Sequence, residues 1–204
     1  SYTQVFSRTM LRLAAKNEKI VGVCAAMPYG TGLYKFSKKY PKRFFDVGIA
    51  EEHAVTFAAG LAAAGLKPFV AIYSSFLQRA YDQIIHDVCL PRYPVVFCID
   101  RAGIVGADGE THQGIFDLSF LSSIPGMSIF APKNKYEFFD ILKFAVEFDG
   151  PLAIRYPRGE AFSGLKNFRS PIKYGKSEVL YSGSRVAVLA VGSMVETAES
   201  VRAI

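Results

Sequence analysis

Four short groups of polar and aromatic residues each follow an apolar run in the sequence, and their side chains could carry out chemistry together. The groups are Glu51-Glu52-His53, Ser74-Ser75-Phe76, Asp100-Arg101 with the nearby Asp108 and His112, and Tyr156 with Arg158. If the apolar runs are parallel strands, their carboxyl ends lie at one edge of a sheet, which is where such sheets bind ligands. A carboxylate, an aromatic ring, a histidine and two arginines around one crevice would bind an anion and transfer protons.

Each candidate also has a plain structural interpretation, which we favour when the residue is taken singly. Glu51 at the start of a helix would complement the helix dipole. Phe76 would pack in the core, where most phenylalanines lie. Arg101 would form a structural ion pair with Asp100 or Asp108. The functional interpretation gains weight only because all four groups are expected at the same sheet edge.

The three histidines differ in their surroundings. His112 lies in a stretch with glycines at positions 103, 106, 109 and 114. Long irregular loops of this kind are usually functional. His53 and His86 fall in predicted helices, where a surface or hydrogen-bonded core role is the better expectation. His112 is therefore the strongest candidate among the histidines for a binding or catalytic role.

The elements that position these groups alternate between helical and strand patterns, which predicts an α/β domain with a mostly parallel sheet and helices on both faces. Apolar runs predict buried strands at residues 20–24, 44–47, 69–73, 95–99, 127–130 and 152–155. Helices are predicted from the apolar stripe between Val5 and Ala14, at residues 50–64 and 134–148, and after Ser74. The helix after Ser74 carries apolar residues at helical spacing from Leu77 to Val88, so we expect one continuous helix with a buried face.

The pattern loosens after the last of these strands. Prolines and glycines recur between residues 157 and 175, which is typical of a linker. We therefore divide the chain into an α/β domain at residues 1–159, a linker at 160–178 and the start of a second α/β domain at 179–204. The last part holds a predicted buried strand at 186–191 and a helix from Met194. One strand and one helix cannot bury a core of their own, so we expect this second domain to be truncated.

Composition argues against several classes of protein. The formal charge is +6, but lysines and arginines are scattered without a basic stripe, which argues against nucleic-acid binding. Part of this charge could serve a phosphorylated substrate. No stretch approaches the roughly 18 apolar residues of a membrane span, and residues 1–15 lack the pattern of a signal peptide.

The cysteines point to a reducing compartment. Cys24, Cys89 and Cys98 are an odd number without CxxC spacing, which argues against a disulfide framework or a zinc site. Cys24 and Cys98 lie in apolar runs, where we expect them to act as small core residues.

Four segments resemble the 1-deoxy-D-xylulose-5-phosphate synthases, a family of transketolase-like thiamine-diphosphate enzymes. They are residues 46–61 (DVGIAEEHAVTFAAGL), 73–82 (YSSFLQRAYD), 100–114 (DRAGIVGADGETHQG) and 155–159 (RYPRG). The third is the most diagnostic, because transketolases and the β chains of 2-oxo-acid dehydrogenases share the carboxylate and the aromatic residue but not this run. The resemblance extends from Ser1 to about Gly159 and more weakly beyond, and it implies the pyrimidine-binding domain.

Members of this family condense pyruvate with glyceraldehyde 3-phosphate, release carbon dioxide, and use thiamine diphosphate and Mg²⁺. The resemblance implies that Glu51 hydrogen-bonds the pyrimidine ring of the cofactor and that Phe76 stacks on it. A carboxyl group at one ring nitrogen favours the imino tautomer that removes the thiazolium proton. The resemblance also implies that Arg101 and Arg158 bind the substrate phosphate, to which their planar forks are suited.

The remaining implied roles are less specific. Tyr73, Asp108 and His112 match residues that line the substrate pocket, and Glu51 and His112 are the implied catalytic residues. No metal ligand is implied here, because the family's diphosphate- and Mg²⁺-binding domain precedes this region and its Gly-Asp-Gly motif is absent from the sequence. We expect a fragment, inactive alone, of a homodimeric enzyme from a bacterial cytoplasm or a plastid stroma.

Three other functions stay open. The chain could be the pyrimidine-binding half of another thiamine-diphosphate enzyme, either a transketolase or a dehydrogenase β chain. It could be a non-catalytic module, because one fold supports many functions. A basic nucleic-acid-binding domain comes third, and salt-dependent binding to duplex DNA would be needed to support it.

Overall fold

A computed structural model describes residues 1–202, and in this part of the chain the strands form one parallel sheet. The strands are β1 (Ile20–Cys24), β2 (Phe44–Asp46), β3 (Lys67–Tyr73), β4 (Val96–Asp100), β5 (Ser128–Phe130) and β6 (Leu152–Arg155). Their order is β2-β1-β3-β4-β6-β5, and every neighbouring pair is parallel. Helices lie on both faces of the sheet, so the predicted α/β fold class is confirmed.

The helices begin and end where local chemistry favours it. They are α1 (Tyr2–Ala14), α2 (Tyr34–Lys39), α3 (Glu51–Ala63), α4 (Ser74–Leu77), α5 (Tyr81–Gln83), α6 (Asp117–Ser122), α7 (Lys135–Glu147) and α8 (Met194–Arg202). A capping box formed by Ser1 and Gln4 starts α1. Asn134 caps α7 by accepting hydrogen bonds from the backbone amides of the first turn. Gly65, with φ of 84°, follows the end of α3 and supplies the left-handed backbone that helix ends often need.

Two hydrophobic cores cover the two faces of the sheet. Successive strand residues point to opposite faces, so Phe69 and Ala71 of β3 pack with α1 and α7, while Val70 and Ile72 pack with α3 and residues 77–89. Every residue of β1, β3 and β4 is buried as a result. Strands covered on both sides read as continuous apolar runs, which is why the sequence predicts the central strands well.

The segment after β3 is helical but not the single regular helix that the sequence predicts. It runs through α4, a 3₁₀ turn at Gln78–Ala80, α5 and a π-helical stretch at Ile84–Cys89. A 3₁₀ turn overwinds the backbone and a π turn underwinds it, so the buried residues stay on one side despite the change in winding. Leu77, Ala80, Ile84 and Val88 are buried as expected, whereas Tyr81 is exposed.

Two predicted strands differ from the observed ones. The prediction that residues 44–47 are buried is wrong, because β2 lies at the edge of the sheet with Phe44 and Phe45 half-buried and Asp46 exposed. The predicted buried strand at residues 186–191 is not formed. Within residues 1–202 no strand lies beside it to complete its backbone hydrogen bonds, and Leu189 is 95% exposed. The helix predicted from Met194 is present as α8.

The cysteines and the helix lengths agree with the composition. All three cysteines are free thiols buried in the fold, so Cys24 and Cys98 are core residues as predicted. Burial raises the pKa of Cys24 to about 12, which keeps the thiol protonated at neutral pH. No helix in the described part of the chain has the length and apolar character needed to cross a bilayer.

Candidate functional site

The predicted site residues lie where the parallel strands end. Tyr73 is the last residue of β3, Asp100 is the last residue of β4, and Glu51 is the first residue of α3, which follows β2. Arg158 comes three residues after the end of β6. The direct contacts described below join these positions into one continuous cluster.

The glycine-rich stretch folds back on itself and brings His112 to the strand ends. Gly103 and Gly114 form an antiparallel bridge, with N–H···O distances of 2.6 and 2.8 Å. A methyl group at position 114 would lie 2.2 Å from the carbonyl oxygen of Arg101 and 2.6 Å from the Cβ of Ser74. Only glycine allows this close approach, so residue 114 fixes the loop against the start of α4.

Three aromatic side chains form the middle of the cluster. Tyr73 and Phe76 are nearly parallel, with ring centroids 5.9 Å apart and 14° between the planes. His112 meets Phe76 edge-on at 5.1 Å and lies 6.3 Å from Tyr73. Phe76 is half-buried and packs on the second hydrophobic core. One part of its side chain therefore contributes to the core, and the rest is available to a ligand.

Glu51 has a cationic partner that the sequence did not suggest. Its side chain is only 3% exposed, and Oε1 accepts a hydrogen bond of 2.6 Å from Nη1 of Arg79. The same guanidinium lies over the ring of Phe76, 4.8 Å from its centroid. Arg79 therefore connects the predicted carboxylate to the predicted stacking residue. The available signal was the helical spacing, since Arg79 follows Phe76 by three positions in the segment YSSFLQRAYD.

The two predicted phosphate-binding arginines meet at Asp108. Arg158 Nη1 lies 2.8 Å from Oδ1 of Asp108, and Arg101 Nε lies 3.6 Å from Oδ2 of the same carboxylate. Arg101 Nη1 also donates to Oδ2 of Asp100 at 2.9 Å. The ion pairs that the structural interpretation expected for Arg101 are thus present. The two arginines, 57 positions apart in sequence, nevertheless lie side by side at one carboxylate.

Arg101 also joins the acidic end of the cluster to the aromatic part. Its guanidinium carbon lies 4.2 Å from the centroid of the Tyr73 ring, and Nη1 donates to the carbonyl oxygen of Gly30 at 2.7 Å. Burial raises the pKa of Tyr73, and the positive charge of Arg101 partly opposes this shift. The tyrosine is therefore a neutral hydroxyl at physiological pH. Gly30 was not among the predicted site residues, although its loop was recognised as rich in glycine and proline.

The other two histidines lie at the surface. His53 is exposed on α3 with its ring 5.9 Å from that of Phe57. His86 is exposed and its Nδ1 lies 3.0 Å from Oδ1 of Asp82. Of the two roles expected for these histidines, surface or hydrogen-bonded core, the structure shows the surface one.

No group of three or more histidine, cysteine or acidic residues suitable for a metal ion occurs in the described part of the chain. Two hydroxyls at the start of α4, Ser74 Oγ and Ser75 Oγ, are buried without a hydrogen-bond partner among residues 1–202. Buried hydroxyls normally have partners, so this end of the site retains unused hydrogen-bonding groups.

Comparison with known proteins decides the family. The profile of the transketolase pyrimidine-binding domain matches residues 1–162. The chain belongs to this family. The 1-deoxy-D-xylulose-5-phosphate synthase of Lachnoclostridium phytofermentans is 60% identical over 202 residues, which is 99% of this chain and 32% of that protein. The synthase of Halothermothrix orenii is 60% identical over 196 residues, covering 96% of this chain and 31% of its own length. These relatives confirm the resemblance seen in the four sequence segments.

Solved structures give the same fold. A split-gene transketolase, described as an inactive β4 tetramer, superposes with a TM-score of 0.81 at 30% identity, covering 99% of this chain and 67% of that chain. Transketolase from Leishmania mexicana superposes with a TM-score of 0.66 at 21% identity over 75% of this chain and 24% of its own, and this likeness shows the fold alone. The present chain spans about a third of the length of the curated transketolase-family relatives that it matches.

Proposed function

We propose that this chain is the pyrimidine-binding domain of a 1-deoxy-D-xylulose-5-phosphate synthase, which condenses pyruvate with glyceraldehyde 3-phosphate. The observation that carries the proposal is one unbroken line of contacts along the sheet edge. The line comprises Glu51, Arg79, Phe76, His112, Tyr73, Arg101, Asp108 and Arg158. A carboxylate and a flat ring occupy one end of it, and two guanidinium groups occupy the other.

The carboxylate end suits the aminopyrimidine ring of thiamine diphosphate. Glu51 is a buried carboxylate whose Oε1 is held by Arg79, and Phe76 offers a half-buried ring beside the same guanidinium. When bound, the cofactor supplies the thiazolium carbon that attacks the keto group of pyruvate. Glu51 would hold a proton at a nitrogen of the pyrimidine ring, and Phe76 would orient that ring by stacking. The hydroxyl of Ser75, which precedes Phe76 and has no hydrogen-bond partner among residues 1–202, would supply a further hydrogen bond.

The guanidinium end suits a phosphate. A phosphate near neutral pH carries between one and two negative charges and several acceptor oxygens, which match two arginine forks. Asp108 contacts both arginines, so an arriving phosphate would share or displace this carboxylate. Tyr73 and His112 lie between the two ends, where we place the reacting carbonyl carbons. His112 is the candidate there for holding or moving a proton.

Magnesium and the partner domains belong to the same proposal. We propose that Mg²⁺ and the diphosphate are held by a preceding domain, since residues 1–202 offer no metal cluster. We also propose a homodimer. Because the matching synthases come from bacteria, we favour a bacterial cytoplasm over a plastid stroma. Identity of 60% to synthases, against 30% to the split-gene transketolase, favours the synthase over the transketolase alternative.

Steady-state kinetics on the full-length enzyme test the proposal. Pyruvate and glyceraldehyde 3-phosphate should give 1-deoxy-D-xylulose 5-phosphate and carbon dioxide, whereas a transketolase would need a ketose phosphate donor. Arg101→Ala and Arg158→Ala should each raise KM for glyceraldehyde 3-phosphate about 10- to 100-fold, since a lost charged hydrogen bond is worth about 1.5–3 kcal/mol.

The matched controls are the lysine variants at the same positions. Arg101→Lys and Arg158→Lys should recover only part of the loss, because the charge returns without the planar fork. KM for pyruvate should stay close to the parent value in all four variants. Equal increases in both KM values would show that the arginines are structural, and a parent enzyme that forms no product would refute the function.

A further inference from the structure

Arg101 has a backbone conformation that needs support. Its φ of 59° lies in the left-handed region, which non-glycine residues adopt rarely. Residues held there at functional sites persist because the surrounding structure fixes them. The contacts that hold Arg101 therefore indicate what the fold preserves at this point.

The main support is the carboxylate of Asp100, the fully buried last residue of β4. Its Oδ1 accepts a hydrogen bond of 2.7 Å from the backbone N–H of Arg101. Its Oδ2 accepts one of 2.9 Å from Nη1 of Arg101 and one of 3.1 Å from the hydroxyl of Thr3 in α1. One carboxylate thus fixes both the backbone and the side chain of its neighbour, and Thr3 fixes that carboxylate in turn.

Among the described residues, these contacts leave one edge of the guanidinium without a hydrogen bond, although the carboxylate of Asp108 lies near it. Nη1 is shared between Asp100 and the carbonyl oxygen of Gly30, and the flat face lies on Tyr73. Within residues 1–202, neither Nε nor Nη2 of Arg101 makes a hydrogen bond, and Nε is buried. Nε and Nη2 together form the edge with which an arginine binds two oxygens of a phosphate or carboxylate. Asp108, 3.6 Å from Nε, marks the direction in which this edge points.

We propose that Asp100, supported by Thr3, is a positioning residue that directs the Nε–Nη2 edge of Arg101 toward the phosphate of glyceraldehyde 3-phosphate. The inference rests on the proposed function. Asp100 does not itself contact the substrate in this proposal. The affinity for the phosphate depends on its carboxylate because that group fixes the position of Arg101.

The electrostatics of Asp100 supply a readout that a purely structural residue would lack. Burial raises the pKa of this carboxyl to about 6, although the charge of Arg101 and the hydrogen bonds from Arg101 and Thr3 oppose the shift. The other titratable groups that interact with it are Cys98 on β4, Tyr73 at the end of β3 and Tyr156 after β6. Burial raises the pKa of each of these three, so they stay neutral near pH 6. Protonation of Asp100 near pH 6 therefore neutralises the carboxylate that accepts the hydrogen bond from Nη1 of Arg101.

The test is Asp100→Asn in the full-length enzyme, a change that keeps the size of the side chain and one oxygen acceptor. We expect KM for glyceraldehyde 3-phosphate to rise about tenfold and KM for pyruvate to change less than about threefold. The substrate phosphate also titrates near pH 6, and it does so equally in assays of the variant and of the parent. We therefore follow one ratio from about pH 5 to pH 8, which is KM for glyceraldehyde 3-phosphate in Asp100→Asn divided by the same KM in the parent. This ratio should be largest at high pH and approach one as Asp100 is protonated in the parent.

A double-mutant cycle checks that Asp100 acts through Arg101. In an Arg101→Ala background, Asp100→Asn should raise KM for glyceraldehyde 3-phosphate less than about twofold. If the effects of the two substitutions on KM for glyceraldehyde 3-phosphate multiply, the proposal is overturned. It is also overturned if Asp100→Asn alone raises KM for glyceraldehyde 3-phosphate and KM for pyruvate equally. Thr3→Val keeps the test decisive if Asp100→Asn does not fold. Without the hydrogen bond from Thr3, the pKa of Asp100 should rise. The pH midpoint at which KM for glyceraldehyde 3-phosphate changes should therefore be higher in Thr3→Val than in the parent, and an unchanged midpoint would overturn the inference.

The proposed function and this inference fail in different ways. A parent enzyme that forms no 1-deoxy-D-xylulose 5-phosphate refutes the function. An active parent in which Asp100→Asn shows no selective loss for the phosphorylated substrate refutes the positioning role alone.

Discussion

The pair between Glu51 and Arg79 allows a measurement on this 204-residue chain without cofactor or substrate. Glu51 is 3% exposed and Arg79 is 47% exposed, so removing the arginine leaves a buried carboxylate without its charged partner. The change to make is Arg79→Met, because methionine keeps much of the unbranched stem and has a similar helix propensity. The comparison variant is Arg8→Met, which removes an exposed arginine from α1.

The size of the effect follows from the geometry. A hydrogen bond to a charged group contributes about 1.5–3 kcal/mol when it is well buried. Solvent around the half-exposed arginine screens part of this, which brings the expected loss to about 1–2 kcal/mol. The cation–π contact with Phe76 adds a smaller term of about 0.5–1 kcal/mol at most. Arg8→Met should change stability by no more than about 0.5 kcal/mol.

Urea unfolding followed by circular dichroism measures the difference. With a slope of about 2 kcal/mol per molar urea, Arg79→Met should lower the midpoint by about 0.5–1 M. In a Glu51→Gln background the same change should cost much less, because no charge is left to be stranded. If Arg79→Met and Arg8→Met behave alike, or if the cost is the same with Gln at position 51, then the carboxylate is not held by Arg79 and the link to Phe76 fails with it.

Three further changes test other parts of the structure. Phe76→Ala in the full-length enzyme should weaken cofactor binding by about 1–3 kcal/mol and lower the melting temperature less than Phe69→Ala, whose ring is fully buried; the reverse order would make Phe76 a core residue. Burial lowers the pKa of Lys67 to about 8, below its unfolded value of 10.5, so the buried charge costs stability below pH 8 and this cost fades as pH rises toward 10.5. Lys67→Met removes this cost but also removes the 2.6 Å hydrogen bond from Nζ to the carbonyl oxygen of Phe148, so the firm expectation is the pH dependence: the stability of the variant relative to the parent should fall by about 1–2 kcal/mol from pH 7 to pH 10, as measured by urea unfolding. A difference independent of pH would point to packing instead. A methyl group at Gly30 would lie 1.9 Å from the hydroxyl oxygen of Tyr73, so Gly30→Ala should destabilise the chain, and adding Tyr73→Phe should restore part of the loss in melting temperature.

The sequence predicted best the elements whose surroundings leave a local signal. Strands at residues 20–24 and 152–155 were predicted to the residue, because both faces of β1 and β6 are covered and turn residues bound the apolar runs. The edge strand β2 and the run at 186–191 have apolar sequences of the same kind. Their burial depends on which strand lies beside them, and that is a long-range property.

The site shows the same division between local and long-range information. The strand-end rule brought Glu51, Phe76 and Arg101 to one edge, since it needs only the chain order of strands and loops. Arg79 was not predicted, and Asp100 was predicted only as a strand-end residue and as an ion-pair partner of Arg101, because the contacts that define their roles are tertiary. The pairing of Glu51 with Arg79 joins α3 to a 3₁₀ turn, and the hydrogen bond from Thr3 to Asp100 spans 97 positions. No spacing rule within one segment reveals such contacts.

The structural and the functional interpretations of Arg101 need each other. Two guanidinium groups brought together for a phosphate repel one another while the site is empty, and the repulsion is greater where solvent is excluded. Asp108 lies between them and supplies the negative charge that makes their approach stable. A phosphate that binds at the same place brings more charge and more acceptor oxygens than one carboxylate, so it can take over both arginines. The ion pair that favours a structural role for Arg101 when taken alone is thus the arrangement that an anion-binding pair of arginines requires before its anion arrives.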